Sequence, residues 1–154
     1  MVVIDVQNIQ NMFPVDDIPL GEWASRALEL LGREDAELSV VIVDNDQIRD
    51  LNKTYLDRDR PTNVISFPQQ EGDGPVGEHL GDVVISIEKA SLEARDSGMS
   101  LDERMLQLLV HGICHLAGYN HEGVSEDMAT KMEEAEENLC RTLLAEAGEQ
   151  KESP

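Results

Sequence analysis

The stretch His111-Gly112-Ile113-Cys114-His115-Leu116-Ala117-Gly118-Tyr119-Asn120-His121 holds three of the four histidines in the chain, and the reading of the rest turns on it. Upstream, Ser100-Leu101-Asp102-Glu103 has the serine-to-glutamate spacing of a capping box, which predicts a helix from there to about Ala117 with Gly118 as its stop. On such a helix His111 and His115 face the same way, one turn apart, the spacing two imidazoles need to meet one metal ion. Gly118 lets the backbone reverse so that His121 approaches the same point from beyond the turn. Three neutral nitrogen ligands with a vacant fourth place describe a catalytic zinc site better than a structural one, which is normally closed by four protein ligands. The vacant place suits a water whose pKa falls toward ~7. A single histidine on a helix rim is ordinarily a packing residue. Three at intervals of four and six, with glycine at the turn, read as ligands. Cys114 lies about 100° around the helix from His115 and reads as packing. His79 falls in a glycine-rich segment and reads as an exposed loop residue.

The spacing is that of the zincin proteases, H-E-x-x-H-x-x-G-x-x-H, with one change. Where those enzymes carry the glutamate that acts as general base, this chain has Gly112. A metal-activated water is kept and its adjacent proton acceptor is lost, which argues against peptide hydrolysis by that route.

Outward from the histidines, the pattern is that of one domain. Val2–Val6, Leu38–Val43, Asn63–Phe67 and Asp82–Ile87 read as strands; the second is a nearly continuous apolar run, which predicts burial on both faces. Trp23, Ala24, Ala27, Leu28 and Leu31 form one stripe of a helix stopped by Gly32. Asp44 or Asn45 is placed to cap a helix carrying Ile48, Leu51 and Tyr55. Ser86 is placed to cap another running to about Asp96, and a last helix is expected from about Ser125 to Ala145. Pro68 to His79 reads as a mobile loop. Four strands with four or five helices make an α+β domain, expected over residues 1–147, with 148–154 an acidic frayed tail.

The 154 residues carry 32 acids against 12 bases, a net charge of −20. That balance opposes a protein that coats nucleic acid through bulk electrostatics, and leaves room for a nuclease with a local basic patch or a bound cation. Ten acids against three bases between Glu122 and the end read as a solvated helix face. Two cysteines form no disulfide framework and suit a reducing, cytoplasmic setting. No secretory leader and no run approaching ~20 apolar residues is expected to act as a membrane signal.

The histidine string, together with Pro61-Thr62-Asn63-Val64-Ile65-Ser66-Phe67-Pro68, Leu80-Gly81-Asp82-Val83-Val84-Ile85-Ser86 and Leu51-Asn52-Lys53-Thr54-Tyr55, resembles the YbeY family of bacterial single-strand-specific endoribonucleases. The resemblance implies a zincin-like fold with a mixed four-stranded sheet, and one zinc ion held by His111, His115 and His121. It also implies single-stranded RNA as substrate, with ribosomal RNA on a ribosomal subunit as the expected partner, and roles in ribosomal RNA maturation and ribosome quality control. No DNA substrate is expected. Two positions depart from the family. Leu56 stands where an arginine usually follows the tyrosine, with Arg58 and Arg60 two and four residues on, so either is a candidate to take over its catalytic role. Lys53 is a third nearby base, and Thr62 and Ser66 are candidate hydrogen-bond donors. Asn120 stands where aspartate is common. The competing readings are a zinc hydrolase of peptide or small-molecule substrates, and a ribosome-associated factor whose zinc is mainly structural.

Overall fold

Strong alternation in two central strands organises the whole chain. The computed structural model describes residues 1–69, 79–118 and 126–152, with side chains in the last segment from 130 to 147. Its elements run β1 (Val3–Asn8), α1 (Leu20–Leu30), β2 (Glu37–Val43), α2 (Asn45–Leu56), β3 (Val64–Pro68), β4 (His79–Ser86), α3 (Ile87–Ser97), α4 (Leu101–Leu116) and α5 (Glu126–Glu152). The sheet order is β1-β2-β4-β3, with β1, β2 and β4 parallel and β3 antiparallel to β4. This is the mixed four-stranded sheet of the expected α+β class. Among the described residues no helix is long and apolar enough to cross a membrane.

Leu38, Val40 and Ile42 of β2, with Val83 and Ile85 of β4, point to one side, into a core shared with α1, α4 and α5 and with Ile87 and Ala90 of α3. Val43, Val84 and Ile65 point to the other side and pack with Ile48 of α2. The period of two thus gives β2 and β4 one buried face and a second that is covered in part by α2, where the apolar run of β2 predicted burial on both. Asp44 forms a full capping box at the start of α2: its carboxylate accepts the Gln47 N–H at 2.8 Å and Gln47 Oε1 accepts the Asp44 N–H at 2.9 Å. At α4 only the serine half forms, with Ser100 Oγ accepting the Glu103 N–H at 3.1 Å. Three readings change. The last helix runs on to Glu152, beyond its expected end near Ala145. His79 is not a loop residue but the first residue of β4, paired in register with Glu37 and 3.9 Å from its carboxylate. Tyr55 shares helical spacing with buried Ile48 yet lies 66% exposed at the end of α2, edge-on to Phe67.

Helix α4 is the centre of the molecule. Met105, Leu106, Leu108, Leu109, Val110, Ile113 and Cys114 are all buried, since α1, α3, α5 and the sheet surround it. Its contact with the sheet is made at Gly112. A Cβ built on that glycine would lie 2.7 and 3.0 Å from the two methyl carbons of Val83 and 3.2 Å from Ser66 Oγ. Ser66 Oγ donates to the Gly112 carbonyl at 3.2 Å, tying β3 to the same turn. Glycine is therefore required at 112 by packing, and the protease glutamate has no space there. Gly112→Ala should lower stability by about 1–3 kcal/mol, as overpacking does, although alanine is the better helix former. Urea unfolding checks this; a midpoint equal to or above that of the parent would show that the sheet yields to the extra carbon.

Candidate metal centre and its flanking cavities

Among the partly exposed residues of α4, Arg104, Gln107, His111 and His115 are spaced as one strip. Helical geometry stacks them one above another, and the sheet and neighbouring helices bury the remaining faces. His111 and His115 lie edge to face with ring centroids 4.5 Å apart, and their Nε2 atoms approach to 3.1 Å. Two imidazole nitrogens bound to one zinc at about 2.0–2.1 Å in tetrahedral geometry would sit roughly 3.3 Å apart, so the pair needs little adjustment to share an ion. His121, the expected third ligand, lies outside the described residues, as do Asn120 and Glu122.

The other ring nitrogen of His111 is held from α5. Nδ1 makes a short hydrogen bond to Glu136 Oε1. The carboxylate accepts this bond, so Nδ1 is the donor and Nε2 is the ring nitrogen turned toward His115. A carboxylate behind a histidine is the usual means of fixing a ligand's tautomer and ring orientation. The sequence reading missed Glu136 by assigning the acids of the last helix to a solvated face. A signal was present: Met132, Leu139 and Leu143 are the buried stripe of α5, and Glu136 falls on that stripe at helical spacing. Cys114 is fully buried, and burial first, then Glu136 and Cys140, push its thiol up to about 12. Burial likewise raises Cys140 to about 11. Both stay protonated at neutral pH, which fits the reading of Cys114 as packing.

The C-terminus of α4 is fixed by Gly118, in the left-handed region at φ 106°, and by Arg33, whose Nη2 donates to the Ala117 carbonyl at 2.9 Å. On the other flank lies the segment after α2. Asp57 ends that helix with φ 56°, and buried Asn52 donates from Nδ2 to the Arg60 carbonyl at 2.9 Å. Asn52 therefore shapes the loop that carries both candidate arginines. Arg58 and Arg60 line one cavity of about 300 Å³ together with Leu56, Ser66, His111 and His115. The alternating Arg58-Asp59-Arg60 order does not pair internally: Asp59 takes Arg49 at 2.7 Å, and that guanidinium lowers the Asp59 pKa. Lys53 and Thr62 divide: Thr62 lines the cavity, and Lys53 does not. A second cavity, about 520 Å³, opens on the far side of His111 between α4, α5 and β3.

The distribution of cations is uneven. Of the eight arginines, Arg26, Arg33, Arg49, Arg95 and Arg104 each bind a carboxylate or a carbonyl. Arg58, Arg60 and Arg141 have no such partner among the described residues, and all three line the two cavities that meet at His111. In a chain of net charge −20, that gives the cavity lined by Arg58 and Arg60, which has no acid in its wall, a local excess of positive charge.

A family model described as Endoribonuclease YbeY matches residues 5–144. Similar relatives include an Endoribonuclease YbeY of Aquifex aeolicus, 51% identical over 106 residues covering 69% of this chain and 70% of that one. Another, from Geobacter metallireducens, is 43% identical over 145 residues, covering 93% of this chain and 97% of the relative. The solution structure of TM1509 from Thermotoga maritima superposes with a TM-score of 0.61 at 26% identity, covering 96% of this chain and 95% of that one.

If Glu136 orients His111, Glu136→Ala should weaken divalent-metal binding by about 10- to 100-fold with the fold intact. Competition against a chromophoric chelator measures it; parent-like affinity would remove Glu136 from the centre.

Proposed function

This chain belongs to the YbeY family and is an endoribonuclease of ribosomal RNA maturation, and we propose that its metal is a single zinc ion held by His111, His115 and His121. The observation that carries this reading is the 3.1 Å approach of two Nε2 atoms beside a cavity lined by two arginines that are unpaired among the described residues. The imidazoles supply neutral nitrogen donors, and Glu136 keeps the His111 donor aimed inward. Held by these histidines, a zinc ion would supply Lewis-acid stabilisation of phosphoryl charge and would activate a nucleophile.

The chain's own residues account for the remaining steps of binding. Arg58 and Arg60 neutralise the phosphate of an RNA strand laid across His111 and His115, replacing the family arginine absent at Leu56. Their loop is held by Asn52 and by the Arg49–Asp59 pair, so two guanidiniums stay available instead of closing on Asp59. Ser66, donating to the Gly112 carbonyl, positions β3 and the helix turn and is not needed to touch RNA. Gly112 explains why this histidine string serves RNA and not peptide cleavage: the position that carries a protease base is filled by the sheet. Single-stranded ribosomal RNA on a ribosomal subunit is the proposed substrate, in the cytoplasm. A partner subunit would also offset the long-range repulsion between RNA and a chain of net charge −20. Residues 1–147 are proposed as a single metal-dependent endoribonuclease domain.

Three outcomes test this. Zinc-loaded protein should cut defined single-stranded RNA, spare the duplex of the same sequence and leave casein intact; chelator-sensitive proteolysis without RNA cleavage would favour a different hydrolase. The His111→Ala, His115→Ala double variant should lose stoichiometric zinc by elemental analysis, and full retention would refute the ligand set. Arg58→Ala or Arg60→Ala should reduce turnover by roughly 10²-fold with metal content unchanged, and lysine at the same place should restore only part. Parent-rate cleavage by both alanine variants would assign the phosphate contact elsewhere.

A further inference from the structure

The two cavities flanking His111 differ in chemistry. The smaller carries Arg58 and Arg60 and no acid, a lining suited to phosphate. The larger balances Arg104 and Arg141 against Glu136 and Glu137, and adds the amides of Asn63 and Gln107. A phosphate gains little from a charge-balanced wall, but the donor and acceptor edge of a neutral nucleobase is matched by one. Its volume, about 520 Å³, lies within the range of small-molecule pockets. We propose, resting on the endoribonuclease reading above, that this cavity between α4, α5 and β3 is a subsite for one unpaired base of the RNA, adjoining the phosphate held over His111 and His115.

The wall is built in advance. Arg104 donates to Glu93 from Nε at 3.1 Å and Nη2 at 3.0 Å, and from Nη1 to Gln107 Oε1 at 2.7 Å. Asn63 Nδ2 donates to the same Glu93 at 3.3 Å. That network fixes one side and leaves the Gln107 amide N–H groups available. Glu137 and Arg141 sit one turn apart on α5 with no ion pair between them and no other partner among the described residues, so an acceptor and a bidentate donor line the cavity. Val64 and Leu108 supply apolar surface for the base face. Because Arg104, Gln107, His111 and His115 share one strip of α4, a strand following that strip passes from phosphate site to base site without leaving the helix. A base inside a duplex cannot enter, so the subsite selects unpaired RNA by exclusion.

The test couples a change in the protein to a change in the RNA. Full-length, metal-loaded chain is titrated with 2′-O-methyl RNA octamers that carry one abasic nucleotide, moved stepwise along the strand, with fluorescence anisotropy as readout. For the parent, one position should stand out, where loss of the base weakens binding by roughly 5-fold or more. In Arg141→Ala, an exposed site, and in Gln107→Ala, that position should lose its sensitivity, the signature of a direct coupling. Arg58→Ala should weaken every octamer alike and keep the sensitive position. Equal sensitivity in the parent and both cavity variants, or no sensitive position in a parent that binds RNA, overturns the subsite alone. A parent that binds none of the octamers, nor unmodified RNA, overturns the RNA reading and the subsite together.

Discussion

The close approach of α4 to the sheet at Gly112 is the constraint on which the rest depends. With no Cβ in the way, the helix settles against Val83 and accepts the Ser66 hydroxyl on its backbone. That contact sets the rotation of α4 about its axis, and the rotation decides which residues are left at the surface. Seven apolar side chains go inward, and the strip through His111 and His115 is left partly exposed. A side chain at 112 would lift or turn the helix and carry both imidazoles with it. Packing density is what converts a helix pattern into a site, because interiors leave no slack of a methyl group.

Around that helix the other elements hold the histidines rather than merely cover them. Helix α5 buries Met132, Leu139 and Leu143 in the core and in the same stripe delivers Glu136 to His111. Arg33, from the turn after α1, closes the last turn of α4. The loop after α2 is tied by Asn52 on its inner side and by Arg49–Asp59 on its outer side. Exposed ion pairs add little stability, and the value of this one lies in occupying Asp59. The acid that sequence order places between Arg58 and Arg60 is thereby kept from neutralising them. Charge at the site is thus decided by which acids are spoken for, in a molecule that has acids in large excess.

Likeness to the zincin proteases and membership in the YbeY family are reconciled at the same residue. The two groups share a histidine spacing because helical periodicity and a turn glycine are the shortest way to bring three imidazoles together. They differ where the helix meets the sheet. The glutamate of the protease motif requires open space beside the metal, and here that space is filled by β4 and β3. What borders His111 and His115 is two guanidiniums unpaired among the described residues, together with amides and a second cavity of mixed charge.

Much of this was legible in the residues taken alone. Period-two runs and β-branched content gave the strands, and glycines and N-cap residues gave the helix ends, because both report local backbone preference. The pair His111 and His115 followed from helical geometry, and the arginines displaced from Leu56 followed from motif comparison. Other features were set by the tertiary structure. His79 looked like loop because its neighbours are glycines, yet pairing with β2 makes it strand. Tyr55 kept the helical phase of Ile48 but emerges where the sheet no longer covers α2. Glu136 and Arg141 are far from the histidines in sequence and reach them only through the docking of α5 on α4. The chain by itself determined which residues can bind metal and phosphate, since those depend on residue type and short-range spacing. Which acids neutralise which bases, and where an empty volume remains beside His111, depends on side chains from distant segments meeting, and only the folded packing decides that.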